Sequence, residues 1–133
     1  MSGPPADAVA PEGGEKLLKH WTVEPVRADR STDRAGWLIL TSHRCLFFRK
    51  AGLLGGSRVE RPAAFTWRLE EMRAVTPQRF WMKVGYGDQL EMPGLSIDGQ
   101  AFRLNRETPS RGAVDEILRA RQVRRVELGL PLA

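Results

Sequence analysis

Arginine and lysine side chains are the groups of this chain most able to do chemistry, and that chemistry is the binding of anions. Over 133 residues there are 21 Lys and Arg against 16 Asp and Glu, a net charge of +5. A guanidinium group binds phosphate or carboxylate oxygens through charge-assisted, often bidentate hydrogen bonds. The candidate binding residues cluster between positions 27 and 61 and are Arg27, Arg30, Arg34, Arg49, Lys50, Leu53, Leu54, Arg58 and Arg61.

The seven cations of this set, called here the basic rim, fall in two loops of the predicted fold or at their edges. In an antiparallel meander the loops after the first and third strands emerge at the same end, because each strand reverses direction. The two groups of cations are therefore expected to meet there and to bind an anionic partner. The alternative is a solvated surface of mixed charge, because four acids lie in the same part of the chain: Glu24, Asp29, Asp33 and Glu60.

Leu53 and Leu54 form an apolar tip between glycines, with Arg49, Lys50 and Arg58 nearby in sequence. Two exposed leucines surrounded by cations could enter the interface of an anionic membrane. They could equally fold back over the protein, which the flanking glycines permit. Both conformations stay open at this point.

The residue types that usually carry catalysis or bind metals are few and scattered. His20 and His43 have no acidic partner at the spacing of a catalytic triad, and Cys45 lies in an apolar run that predicts a buried, unreactive thiol. Two histidines and one cysteine on separate segments make a poor zinc ligand set. No glycine-rich phosphate loop leads from a strand into a helix. We therefore expect no enzymatic activity, no metal and no cofactor.

Seven short β-strands are predicted from the alternation of apolar and polar residues. Phe65, Trp67 and Leu69 occupy every second position, which places them on one buried face. Asp98 followed by Gly99 indicates a two-residue hairpin turn that requires positive φ. The seven segments are residues 17–23, 36–41, 44–50, 65–70, 80–86, 90–97 and 102–104.

A single helix is predicted after the strands. Thr108 followed by Pro109 is typical of a helix start, and Gly129 with Pro131 is typical of a helix end. The core-facing stripe at helical spacing consists of Val114, Ile117 and Leu118. A second stripe consists of Ala120, Val123 and Val126. This second stripe either packs on a partner or a second copy of the chain, or is covered because the helix wraps the sheet.

The domain boundaries follow from composition. Residues 1–14 are rich in Pro, Gly and Ala without apolar periodicity, which predicts a disordered N-terminal tail. The folded domain is expected over residues 15–129, with a short C-terminal tail at 130–133. No apolar run approaches the roughly 20 residues of a membrane-spanning helix, and no secretory signal is visible. These features predict a cytoplasmic protein, peripheral at the inner face of the membrane if its partner is lipid.

Three segments together carry a family resemblance. Residues 14–18 (GEKLL) open the domain, and residues 36–48 (GWLILTSHRCLFF) form an apolar hairpin. Residues 65–75 (FTWRLEEMRAV) follow a glycine-rich loop. They resemble bacterial PH-like and GRAM domains. The resemblance implies a mostly β fold with a C-terminal α-helix: a seven-stranded PH-like barrel of two packed antiparallel sheets closed by one helix. The lysine-then-arginine motif of phosphoinositide-binding PH domains has no match at the family's spacing.

The sequence thus predicts a non-catalytic binding or adaptor module that docks to a protein partner or an anionic membrane surface through basic loops. Three alternatives stay open: a small barrel that encloses an apolar ligand, a homo-oligomer formed through the C-terminal helix, and a nucleic-acid binder whose tryptophans stack on bases. Large inward residues favour a filled interior. Trp67 is expected in the core, and Trp37 and Trp81 are expected to be partly exposed.

Overall fold

The computed structural model of the protein describes residues 3–52 and 58–132, and within them seven strands and one C-terminal α-helix follow one another, as predicted. A one-turn 3₁₀ helix, Leu69–Glu71, separates the fourth and fifth strands. The elements are β1 Leu17–Val26, β2 Gly36–Thr41, β3 Arg44–Arg49, β4 Phe65–Arg68, β5 Val75–Val84, β6 Asp88–Ile97, β7 Gln100–Leu104 and α1 Ser110–Glu127.

All seven strands belong to one antiparallel sheet in the order β4-β3-β2-β1-β7-β6-β5. β1 joins the two halves of this sheet, because its Val23 pairs with Gly36 of β2 on one side and with Leu104 of β7 on the other. Among the described residues the expected closure into a barrel of two sheets is not present, since the hydrogen-bonded order ends at β4 and β5. β4 ends after four residues in the 3₁₀ turn, so it does not run beside β5. α1 packs against the 3₁₀ turn, β5 and β6, next to the gap that these edge strands leave.

Aromatic side chains fill the core between the two halves of the sheet. The ring centroids of Phe47 and Phe102 are 5.4 Å apart. Phe65 stacks on Trp67 at 5.6 Å, and Trp67 meets Phe102 edge-on at 5.9 Å. Leu69 is fully buried in the same cluster. The predicted inward alternation of Phe65, Trp67 and Leu69 is therefore confirmed, although Leu69 lies in the 3₁₀ turn and not in a strand.

The strands β2 and β3 are buried on both faces. Leu38 and Phe47 point into the main core, whereas Trp37 and Phe48 belong to a second apolar cluster on the opposite face. Trp37, expected to be partly exposed, has only 1% of its surface exposed. A strand that is apolar at every position has two faces to remove from water, so this outer face requires a cover.

The cover is the segment that composition predicts to be a disordered tail. Ala8 and Val9 are buried in the second cluster, and Val59 and Ala63 of the β3–β4 loop pack beside them. Residues 3–14 thus have a defined place on the outer face of the sheet. Their low hydropathy is compatible with this because two small side chains suffice to complete a surface that the sheet itself supplies.

Helix α1 begins at Ser110, one residue later than the predicted start, and Pro109 takes the N-cap position with extended backbone. Ala113, Val114, Ile117 and Ala120 are buried. Leu118, predicted in the core-facing stripe, is 40% exposed, because it lies about 100° around the helix from Ile117. The remaining members of the second stripe, Val123 and Val126, are 52% and 61% exposed. In the described part of the chain no helix is long and apolar enough to cross a membrane.

The predicted β6–β7 hairpin turn is confirmed. Asp98 and Gly99 have φ angles of 47° and 90°, the left-handed conformation that such turns require. Asp98 Oδ1 also accepts hydrogen bonds from the backbone N–H groups of Arg73 and Ala74, at 2.8 and 2.7 Å. The turn therefore fixes the segment that leads into β5.

Gly94 in β6 is required by close packing, and replacing it with alanine is expected to destabilise the protein. A Cβ atom there would lie 2.2 Å from the Phe80 ring and 2.6 Å from the Phe102 carbonyl oxygen. Overpacking of this kind costs about 1–3 kcal/mol or more. At Gly112, within α1, an added Cβ would lie 3.9 Å from the Pro109 Cβ, an ordinary contact, so Gly112→Ala should stabilise by about 0.5–1 kcal/mol. Urea unfolding of both variants checks this, and equal midpoints would contradict it.

Candidate functional site

The β1–β2 loop, residues 27–35, and the β3–β4 loop, residues 50–64, meet at one end of the sheet. Arg34 of the first loop donates a hydrogen bond to Glu60 of the second, with Nη1 and Oε2 2.6 Å apart. Arg49, at the end of β3, reaches Asp33 of the first loop. The antiparallel topology thus brings the two groups of predicted cations together.

Asp33 is the acid at the centre of this end of the sheet, and two arginines share it. Its Oδ1 lies 3.1 Å from Arg27 Nη2, and its Oδ2 lies 3.0 Å from Arg49 Nη2. The backbone N–H of Arg34 and the Arg49 guanidinium hold the pKa of Asp33 below its usual value. Asp29 also interacts with Arg27, so the excess of positive charge at this end comes mainly from the rim cations that have no acidic partner among the described residues.

Three further members of the basic rim have no acidic partner in the described part of the chain. Lys50 Nζ lies 4.9 Å from the centre of the Trp37 ring, a cation–π contact on the edge of the second cluster. The side chains of Arg30 and Arg58 are exposed and make no ion pair with described residues. The rim is consequently cationic, although Asp29, Asp33 and Glu60 lie within it.

Arg61 differs from the other predicted rim residues because it binds the N-terminal segment. Its Nη1 and Nη2 donate hydrogen bonds to the carbonyl oxygens of Ala8 and Asp7, at 2.8 and 2.9 Å. Its guanidinium is therefore occupied by the chain itself. The predicted tip residues Leu53 and Leu54 lie outside the described residues, so their insertion into a membrane stays a prediction.

A cluster of charged residues that the sequence did not predict holds the other end of the N-terminal segment. Glu15 receives hydrogen bonds from Arg44 Nε at 3.0 Å and from Arg44 Nη2 at 2.8 Å. Glu12 is bound by Arg68 through Nη1 at 3.0 Å and Nη2 at 2.5 Å. His43 Nδ1 lies 3.3 Å from Glu12 Oε1. We call these five residues the N-terminal latch.

The latch brings together three side chains of metal-ligand type, yet its carboxylates are already satisfied. Ligand atoms of Glu12, Glu15 and His43 lie within 4.8 Å of one another. Hydrogen bonds from Arg68 hold the pKa of Glu12 at about 2. For Glu15, burial raises the pKa, but hydrogen bonds from Arg44 and Thr41 outweigh it and bring the value to about 2. The arrangement is an ion-pair cluster that ties the segment to the β2–β3 turn.

Two grooves flank β1 on the surface of the sheet. The first, about 500 Å³, is mostly apolar and lies between the N-terminal segment and residues Leu17, Leu18 and Ile39. The second, about 340 Å³, lies between the β1–β2 loop and the β5–β7 strands. Of the predicted site residues this second groove contains Arg27 and Arg30. Arg103 of β7, outside the predicted set, completes its cationic lining.

The comparisons with known proteins bear on the fold alone. No protein-family model matches the chain, and no curated protein matches it. Among solved structures, the chain is similar to the hSac2 domain from human phosphoinositide phosphatase Sac2, with a TM-score of 0.51 and 11% sequence identity. The match covers 89% of this chain and 74% of that one. At this identity the likeness supports a shared β-rich architecture, and membership in the PH-like or GRAM group stays a prediction.

Acidification is expected to release the N-terminal segment before the sheet unfolds. Glu12 and Glu15 have ordinary pKa values of 4.5 and folded values of about 2. A carboxylate with a lowered folded pKa stabilises the bound state above about 4.5 and loses this effect as the pH falls toward 2. The NMR amide shifts of Ala8 and Val9, followed from pH 6 to pH 2, should change in this window.

A double variant, Glu12→Gln with Glu15→Gln, should lose most of that pH dependence and loosen the segment already at pH 6. Asp115→Asn, at an exposed position of α1, is the matched control and should leave the titration unchanged. If Ala8 and Val9 keep their shifts down to the pH at which the sheet unfolds, the latch does not hold the segment.

Proposed function

We propose that the protein is a non-catalytic, PH-like binding module that docks on an anionic membrane surface through the basic rim. The observation that carries the proposal is the excess of positive charge where the two loops meet. Asp33 is divided between Arg27 and Arg49, and neither Arg30 nor Arg58 has an acidic partner among the described residues.

Docking is favoured by the way these cations are held. Arg27 and Arg49 are fixed by their common carboxylate, and Arg34 is fixed by Glu60, so little additional ordering is needed when the surface is bound. A basic side chain close to an acidic membrane contributes roughly 1 kcal/mol. Several cations at one end of a rigid sheet therefore give useful, salt-sensitive binding.

The architecture is compatible with such a module. The seven antiparallel strands and the single C-terminal helix agree with the strand count and helix position that the PH-like resemblance implies, although the sheet is open. The similar hSac2 domain comes from a protein named as a phosphoinositide phosphatase, and phosphoinositides are anionic lipids. At 11% identity this supports a use of the fold near such lipids and nothing more specific.

The test reverses charge on the rim without touching the core. Arg34→Glu with Arg58→Glu should weaken binding to vesicles that contain phosphatidylserine by about thirtyfold or more, since two favourable contributions of roughly 1 kcal/mol each are lost and repulsion is added. Vesicle sedimentation at low and physiological salt measures the effect. Wild-type binding should fall as salt rises.

The matched control is Lys16→Glu with Arg119→Glu, which changes the net charge equally at two exposed positions near the β2–β3 turn, at the opposite end of the sheet from the rim. This control should keep most of the binding. Equal losses in both double variants would show that only net charge matters and would contradict a specific rim. If the wild type does not bind acidic vesicles, a protein with an acidic surface becomes the favoured partner, because the same cations would attract it.

A further inference from the structure

The groove between the β1–β2 loop and the β5–β7 strands has the lining of an anion site. Three arginines line its volume of about 340 Å³: Arg27 and Arg30 of the β1–β2 loop and Arg103 of β7. Arg27 is shared with Asp33 and Arg103 with Glu24, whereas Arg30 has no acidic partner among the described residues. Arg79 of the edge strand β5 also borders the groove, but by strand alternation its side chain lies on the opposite face, where its Nε is 3.3 Å from Glu91 Oε1. The groove lies on the face of the sheet, and Arg103 belongs to a strand that the basic rim does not include.

The floor of the groove follows from the register of the strands. Glu24 pairs with Arg103, Arg103 pairs with Gly94, and Gly94 pairs with Gln78, so this row crosses four strands on one face. Gly94 contributes no side chain, which leaves space beside the long Arg103 side chain. The ring of Phe80 occupies part of this space and forms an apolar wall.

The guanidinium group of Arg103 is held in place by one acid, but in the described part of the chain not all of its N–H donors have strong acceptors. Its Nε donates a hydrogen bond to Glu24 Oε1 at 3.0 Å, and its Nη2 contacts the same oxygen. Its Nη1 has the Met82 sulfur as partner at 3.1 Å, which is a weak acceptor. Glu24 therefore fixes the guanidinium plane, while one edge of it is left for a better acceptor such as a phosphate oxygen.

Arg30 lies opposite, on the β1–β2 loop, in an unusual conformation. Its φ is +72°, the left-handed region in which a side chain is strained and glycine or asparagine is preferred. The side chain makes no hydrogen bond or ion pair with the described residues. A long cationic side chain at a position that suits glycine better, turned to an arginine-lined groove, indicates a role in binding.

We propose that this groove binds a phosphomonoester dianion, either free or as a lipid headgroup. A terminal phosphate offers three oxygens and nearly two charges near neutral pH, which suits several guanidinium groups at once. A phosphodiester offers two free oxygens and one charge. Thr32, also in the lining, adds a hydroxyl donor beside the apolar wall of the Phe80 ring. The lipid-borne form rests on the proposed membrane docking, whereas the free form does not.

The first experiment uses soluble probes and NMR. Glycerol 3-phosphate should shift the Thr32 and Ala101 amide resonances saturably, since both residues line the groove. Dimethyl phosphate, a diester, should bind at least about tenfold more weakly because it lacks one charge-assisted contact. Binding should weaken as the pH falls from 7 to 5, since the second phosphate pKa is about 6. Equal affinity for both probes, or no saturable shift, would overturn the proposal.

Arg30→Gly is the decisive variant because glycine suits this backbone conformation and should leave the melting temperature nearly unchanged. It should lose about tenfold or more of the glycerol 3-phosphate affinity. Arg58→Ala removes the same charge from the neighbouring loop and should keep that affinity. If Arg30→Gly binds glycerol 3-phosphate as the wild type does, Arg30 is not part of a phosphate site and the proposal falls.

Vesicles then separate the two sources of phosphate. At matched surface charge, phosphatidic acid presents a monoester and phosphatidylserine a diester, so the wild type should prefer phosphatidic acid and Arg30→Gly should lose this preference. Binding of glycerol 3-phosphate without vesicle binding supports the groove and refutes membrane docking. Equal binding to both vesicles with no response to glycerol 3-phosphate refutes the groove and leaves membrane docking standing.

Discussion

The constraint on which this structure depends is that the centres of β2 and β3 are apolar on both faces, so the sheet must be covered on both faces there. One face is covered by the aromatic core and α1. The other is covered by Ala8 and Val9 together with part of the β3–β4 loop. Because burial of apolar surface is the dominant favourable term in folding, the N-terminal segment is a structural part of the domain.

Because the N-terminal segment must be held on this outer face, some arginines bind the segment and others do not. Arg44, Arg61 and Arg68 are used internally, since they bind carboxylates or carbonyl oxygens of the segment. The side chains of Arg30 and Arg58 bind no carboxylate or carbonyl oxygen among the described residues, and Arg27 and Arg49 share one carboxylate. Residue type alone does not distinguish these groups; only their partners do.

Local patterns in the sequence predict the elements well. The alternation of Phe65, Trp67 and Leu69 and the Asp98-Gly99 turn depend on neighbours in the chain, and both are found as expected. The cover over Trp37 and the groove completed by Arg103 depend on contacts between segments far apart in sequence, which composition does not reveal. A signal for the cover was nevertheless present, because fully apolar strands such as GWLIL indicate two buried faces. The open sheet could not be inferred, since it follows from where β4 stops.

The position of β1 at the junction of the two half-sheets has a consequence for biosynthesis. Val23 is synthesised before its partner Leu104, which follows 81 residues later, and α1 follows later still. Until then a β1–β4 intermediate has Leu38, Leu40 and Phe47 without their final cover. Such a nascent chain presents the exposed apolar surface that chaperones recognise and that drives aggregation, so ribosome-stalled chains ending before β7 should be strong chaperone clients while the completed domain is not.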